Sequence, residues 1–351
     1  MIPSDAVGDV LAPTADQRLD LYLAPLPLGR EGKGFRRYPV TPEEAFLGHP
    51  KRSFEVAVRR SQAYMDKKGL SGRNPAIINQ LRKRYFDPVL EAHQRVGIMR
   101  RFQLVIGDDL TPNTSPTFHK ARRIDDPGLS VLLPLNAERH FEPLAEVAEN
   151  DIPFEEKASV VVWRGATTGV FWHPPFGSRY YIYQHWDRFA RNPAFDFGFS
   201  RIVQVDKVGL KDDFGPLERC IKPTLSYKEQ LAAKYLLVLE GNDLASGMKW
   251  ILASNSLIIM PRIHAESWAC ESMLRPGVHY VEVRRDLEDL EDVYAWCEAH
   301  PAQCREIAEN GKRFMSAFMD AGVERDLVDA VVKQYQKRVR LFMPENELAE
   351  D

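Results

Sequence analysis

Two carboxylates, Asp108 and Asp109, follow directly on the apolar run RFQLVIG (residues 101–107) and open a Pro-containing stretch that continues to Ile124. A carboxylate at the end of a buried strand can take a proton from a hydroxyl, which makes Asp108 a candidate general base. His119 and Lys120 follow closely enough to line the same cleft. Adjacent aspartates also admit a metal reading. Neighbouring side chains diverge, however, and no third ligand is near, so a site without metal is expected.

A second set of residues suits an anion. WRGATTG (163–169) sets Arg164, Gly165 and Thr167 at the end of a strand pattern. Glycine lets the backbone approach a phosphate, and an arginine can fork onto its oxygens. EGNDLASGMKW (240–250) carries Gly241, Asn242 and Ser246 into a helix start, whose free amides suit a pyrophosphate, with Lys249 adding charge. In IHAESW (263–268), Glu266 can accept hydrogen bonds from ribose hydroxyls. Each turn also has a plain reading: a surface Gly/Thr turn, a βα turn capped by Asp243 or Ser246, and an exposed acid. Together they converge only if consecutive βα loops share one crevice. No GxSxG, Walker or HExxH motif is present.

The elements that must position these residues are legible in outline. Asn74-Pro75 reads as an N-cap followed by proline at the first helical position. Ile77, Ile78, Leu81 and Tyr85 then fall on one helix face. Strands are expected at 101–107, 129–134, 159–165, 234–241, 256–261 and 278–283, with helices over 246–254 and after 286. A closing amphipathic helix carries Val328, Val331, Val332, Tyr335 and Val339. Strands alternating with helices imply an α/β protein with a parallel sheet. The domains expected are 1–153 and 154–324, with 325–351 packing back on the first.

Composition limits the function class. In 351 residues the formal net charge is −3, which argues against nucleic acid as partner. Between Lys51 and Arg101, basic residues far outnumber acids, a pattern that suits an anionic acceptor, an anionic membrane surface or a solvated face. No apolar run is long enough to span a bilayer, and the N-terminal residues lack a secretory pattern, so a cytoplasmic protein is expected. Cys220, Cys270, Cys297 and Cys304 show no CxxC pairing and read as buried free thiols.

Taken together, VVWRGATTG, KYLLVLEGNDLASGMKWILASNSLIIMP and ESWACESMLRPGVHYVEVRRDLEDL running into IAENGKRF resemble glycosyltransferase family 90. The likeness covers residues 107–318. It implies a GT-B-like pair of Rossmann-like domains facing a central cleft, with the donor held by the C-terminal one. It also implies an inverting, metal-independent transfer from a UDP-sugar to lipopolysaccharide or another surface glycan, with no resident cofactor. Within it, Asp108 matches the base, Arg164, Gly165 and downstream Arg179 the phosphate-binding part, and Glu266 the donor-side acid. Gly247 stands where eukaryotic members carry an arginine, with Lys249 nearby. The bacterial branch implies a cytoplasmic enzyme, peripheral on the inner membrane. A nucleotide-sugar hydrolase and a non-catalytic nucleotide-sugar-binding protein remain the alternatives.

Overall fold

The computed structural model describes residues 12–26, 35–40, 43–171, 174–204 and 215–343, with Glu142 described by its backbone alone. Residues 1–11, on which the expectation about a leader rests, lie outside them. Among the described residues the strands are β1 (Arg36–Pro39), β2 (Phe46–Gly48), β3 (Phe102–Leu104), β4 (Thr117–His119), β5 (Ala121–Arg123) and β6 (Ser130–Leu132). Then come β7 (Ala158–Ala166), β8 (Phe195–Arg201), β9 (Ala233–Leu237), β10 (Leu257–Met260), β11 (Ala265–Ser267), β12 (Val281–Glu282) and β13 (Val339–Phe342). The chain is a mixed α/β protein that divides into two compact units.

One unit comprises Arg139–Ile263 and Glu271–Ala317. Its sheet runs β12-β10-β9-β7-β8, with every neighbouring pair parallel. Numbered along the chain this order is 5-4-3-1-2, the doubly wound pattern. Its direction of winding reverses between β7 and β9. Alternation explains why β8 joins the sheet: Phe195, Phe197 and Phe199 enter the core with Val161 and Trp163, while Asp196 and Gly198 face the other way. Burying each such ring stabilises the unit by about 1.5–3 kcal/mol. The four cysteines are free and buried.

The other unit comprises Thr14–Glu138, His264–Cys270 and the chain from Phe318 onward. Its sheet runs β2-β3-β4-β6, antiparallel between β2 and β3 and parallel elsewhere. β5 pairs antiparallel with β11, and β1 runs parallel to β13. The unit boundary falls in the first turn of the helix Ala137–Asn150, ahead of the expected boundary between 153 and 154. The helix Ala321–Arg338 packs within this unit. The Tyr335 hydroxyl donates to the Pro116 carbonyl at 2.8 Å, and its ring centroid lies 4.3 Å from that of Phe118. Residues 344–351 lie outside the described set.

Two histidines are sealed into this unit. His93 Nδ1 donates to the Val89 carbonyl at 2.7 Å, and its Nε2 accepts from the Gln336 amide at 2.9 Å. His119 Nε2 accepts from Asn113 Nδ2 at 2.5 Å. Burial pushes His93 down to about 4 and His119 down to about 3, so both rings are neutral.

The Asn74 cap forms as expected, with Oδ1 accepting from the Ala76 amide at 2.8 Å. The expected buried face does not. The helix Pro75–Leu81 buries none of its residues, and a π-turn at Arg82–Phe86 intervenes before Tyr85 reaches the core. The extra residue of a π-turn rotates the face by about one position, which separates Tyr85 from Ile77, Ile78 and Leu81.

Candidate active site

The crevice outside the carboxyl ends of β7 and β9 is where a doubly wound sheet takes its ligand. Here the loops after β7 and β9 meet there. Gly169 adopts φ +82°, and a Cβ on it would lie 2.6 Å from the Gly241 carbonyl oxygen, so only glycine permits this approach. The Gly169 amide donates to Asn242 Oδ1 at 3.2 Å. Val170 follows at φ +55° and stays 46% exposed. A β-branched residue in that region costs about 1–3 kcal/mol, so strain sits at the lip of the crevice.

Arg179, from the helix Ser178–Gln184, ties the two strand ends together. Its Nη1 donates to the Ala166 carbonyl at 3.1 Å and to Thr168 Oγ1 at 2.6 Å. Its Nε and Nη2 donate to the Leu239 carbonyl at 3.3 and 3.0 Å. A guanidinium has five N–H groups. The fifth, on Nη2, has no acceptor among the described residues. A Cβ at Gly241 would stand 3.2 Å from this Nη2, so the glycine also leaves the guanidinium uncovered. No carboxylate lies within ion-pair distance among the described residues. Burial, then the nearby charge of Arg139, lowers Arg179 to about 10 against the pull of Asp243 and Glu240. A bound anion would offset both effects.

Several residues marked by the sequence lie elsewhere. Arg164 spends all five N–H groups: on Asp196 Oδ1 and Oδ2 at 3.0 and 2.9 Å, and on the carbonyls of Asp196, Trp163 and Pro223. It is a strut between β7 and β8, not a free phosphate ligand. Burial works to raise the Asp196 carboxyl, but hydrogen bonds from Lys222 and Arg164 outweigh it and hold it below its ordinary value. Gly165 makes room for the Trp163 ring, which a Cβ would approach to 2.5 Å. Thr167 is fully buried, and its Oγ1 both donates to the Val203 carbonyl and accepts from the Val203 amide, each at 2.8 Å.

The helix after the second loop is short, Met248–Leu252. Its N-cap is Gly247 with no side-chain bond, so neither Asp243 nor Ser246 caps it. Ser246 is half-buried in the turn just before. Lys249 points into the interior, where its ammonium pairs with Glu271 at 2.9 Å, both side chains 0% exposed. Glu266 is in β11 of the mixed-sheet unit, not in a donor-side loop. Its Oε1 accepts from Arg122 Nε at 2.8 Å. Of the expected donor residues, Gly241, Asn242 and Arg179 remain together at the crevice. Thr168 joins them through its Oγ1, although nothing local distinguishes it from Thr167. Arg139 comes from a distant helix, with no local signal.

In the mixed-sheet unit, Gly107 at φ +92° turns the chain after the strand and brings the aspartates to the surface. Asp108 pairs with Lys120, whose side chain is buried. Asp109 is engaged twice, by Lys68 and by the Thr111 amide at 2.9 Å. Asp108 is the more open of the two, 31% exposed against 18%.

These assignments separate the two arginines by experiment. With the UDP that the resemblance implies as the probe, Arg179→Lys, which keeps the charge but loses the fork, should weaken binding by about 1.5–3 kcal/mol in titration calorimetry. Arg164→Met should leave UDP affinity unchanged and lower the melting temperature instead. The reverse pattern would return the phosphate to Arg164.

The sequence model of Glycosyl transferase family 90 matches residues 205–348. Over 237 residues, 67% of this chain and 67% of its counterpart, the sequence is 35% identical to O-glucosyltransferase LpsA of Dichelobacter nodosus. Uncharacterized protein 035R of Invertebrate iridescent virus 3 is 29% identical over 174 residues, 48% of this chain and 16% of its own length. Protein O-glucosyltransferase 2 of Danio rerio is 29% identical over 102 residues, 29% of this chain and 19% of its own length. The breadth of the match to LpsA, the family model and a doubly wound unit with a carboxylate-free arginine at its switch point agree: the chain belongs to glycosyltransferase family 90 and is a glycosyltransferase.

Proposed function

We propose that this enzyme moves a sugar from a UDP-sugar to a hydroxyl of lipopolysaccharide or another surface glycan, with inversion at the anomeric carbon and without a metal ion. The observation that carries the reading is Arg179, a half-buried guanidinium with one uncommitted N–H and no carboxylate partner among the described residues. A nucleoside diphosphate leaving group brings the missing negative charge, and a preorganised cation stabilises it as the bond to the sugar breaks. The acceptor oxygen attacks the anomeric carbon, its proton passes to Asp108, and UDP departs. The doubly wound unit serves as the donor half of a GT-B pair. The names of LpsA and of the Danio rerio protein, both O-glucosyltransferases, favour a glucosyl donor. Residence on the cytoplasmic side, at the inner-membrane surface, belongs to the same reading.

The test is product analysis with UDP-glucose, with and without a lipopolysaccharide acceptor. A glycoside that forms only with acceptor, at a rate unaffected by excess EDTA, supports the reading. Free glucose released equally fast without acceptor makes the protein a hydrolase. Activity abolished by EDTA and restored by Mn²⁺ or Mg²⁺ brings back the paired-aspartate metal site.

A further inference from the structure

The run from Lys67 to Arg84 holds six cations (Lys67, Lys68, Arg73, Arg82, Lys83 and Arg84) and no acid over 18 residues. Its centre is the helix Pro75–Leu81, none of whose residues is buried. Ile77 is 38% exposed, and Ile78 and Leu81 are half-buried. At 100° per residue these three side chains share one stripe about 100° wide. The helix is not loosely attached. The π-turn that follows it buries Tyr85 and Phe86, and Phe86 meets the rings of Phe46, Phe54 and Phe102 at centroid distances of 5.2–6.0 Å. An aliphatic stripe is thus held at the surface on an aromatic anchor. Lys67, Arg73 and Lys83 beside it have no carboxylate within ion-pair distance among the described residues.

We propose that this helix docks the enzyme on an anionic bilayer surface, with Ile77, Ile78 and Leu81 entering the headgroup boundary and Lys67, Arg73 and Lys83 facing lipid phosphates, while Lys68, Arg82 and Arg84 stay paired with Asp109, Asp87 and Glu138. An acidic polysaccharide would satisfy the cations but gives the aliphatic stripe nothing to bury against. A bilayer satisfies both, which is the chemistry of an interfacial amphipathic helix. No helix among the described residues is long and apolar enough to cross a membrane, so the element lies on the bilayer. This deepens the peripheral location proposed above but uses none of the donor-site residues, so vesicle binding and turnover can fail separately.

The experiment is co-sedimentation of the full chain with vesicles of phosphatidylcholine, with or without phosphatidylglycerol. Binding should require phosphatidylglycerol and fall more than about tenfold near 1 M salt, where the screening length is about 3 Å. Lys67→Glu/Arg73→Glu/Lys83→Glu and, separately, Ile77→Ser/Ile78→Ser should each reduce partitioning by about tenfold or more. Both sets lie at the surface, and an unchanged melting temperature verifies each fold. Equal binding to neutral vesicles, no binding to either, or full binding by either variant overturns the proposal.

Discussion

Asp108→Asn is expected to lower kcat by about 10²- to 10⁴-fold while leaving UDP affinity unchanged. The substitution keeps the shape of the side chain and removes only its ability to take the acceptor's proton. Asp109→Asn should do much less, because that carboxylate is already held by Lys68 and the Thr111 amide. Lys120 anchors Asp108 from one side and leaves it the more exposed of the pair. Melting temperatures of both variants separate lost chemistry from lost fold. A crippled Asp109→Asn beside a normal Asp108→Asn would move the base by one residue. Normal turnover in both would place the base elsewhere and remove the mechanistic core of the proposed transfer.

The second large effect is on stability in mild acid. Burial lowers His93 to about 4 and His119 to about 3 in the fold, against about 6.5 in an unfolded chain. Below pH 6.5 the unfolded chain takes up two protons that the folded one refuses. Stability is therefore complete above that value and falls as pH drops toward the folded values. By pH 5 each histidine accounts for a loss of about 2 kcal/mol, together about 4 kcal/mol. That is a large part of the roughly 5–15 kcal/mol that holds a typical domain. His49, also lowered by burial, adds in the same sense. Urea unfolding at pH 7.5 and pH 5 measures the loss, and His93→Gln should remove about half of it. A free energy that does not change over this interval would mean that the rings are hydrated and titrate in the native state.

The sequence exposes the Asn74 cap and its parallel strands well, because both are local. Asn74-Pro75 caps where its chemistry says, and β7, β9 and β10 follow from apolar runs ended by glycine or proline. β8 is equally legible: Phe195, Phe197 and Phe199 alternate with Asp196 and Gly198, a period of two. The site was harder, because a residue's type fixes what it can bind and not which partner it finds. Arg164 has the chemistry of a phosphate ligand, yet Asp196 on the neighbouring strand takes its guanidinium. Lys249 lies on the inward face of a five-residue helix and meets Glu271, 22 positions away. Glu266 reads as a loop acid, but Arg122 reaches it from β5, 144 positions earlier. Each of these pairings is between distant segments, so no local spacing announces it. Arg179 emerged from the resemblance and gained its meaning from the order of the strands.

The mixed-sheet unit is assembled from three separate stretches of chain, with nearly all of the doubly wound unit inserted between them. A ribosome makes Phe118 and Pro116 long before it makes Tyr335, which covers them from 219 positions downstream of Pro116. At about 5–20 residues per second that gap lasts roughly 10–40 s. During it the doubly wound unit, whose strands are all contained in a nearer span, can close on itself. The earlier-made unit must meanwhile wait with its apolar sheet open to solvent and to chaperones. The mixed-sheet unit is thus begun before the doubly wound unit and finished after it, and a chain released before the helix Ala321–Arg338 would carry a folded doubly wound unit together with an uncovered mixed sheet.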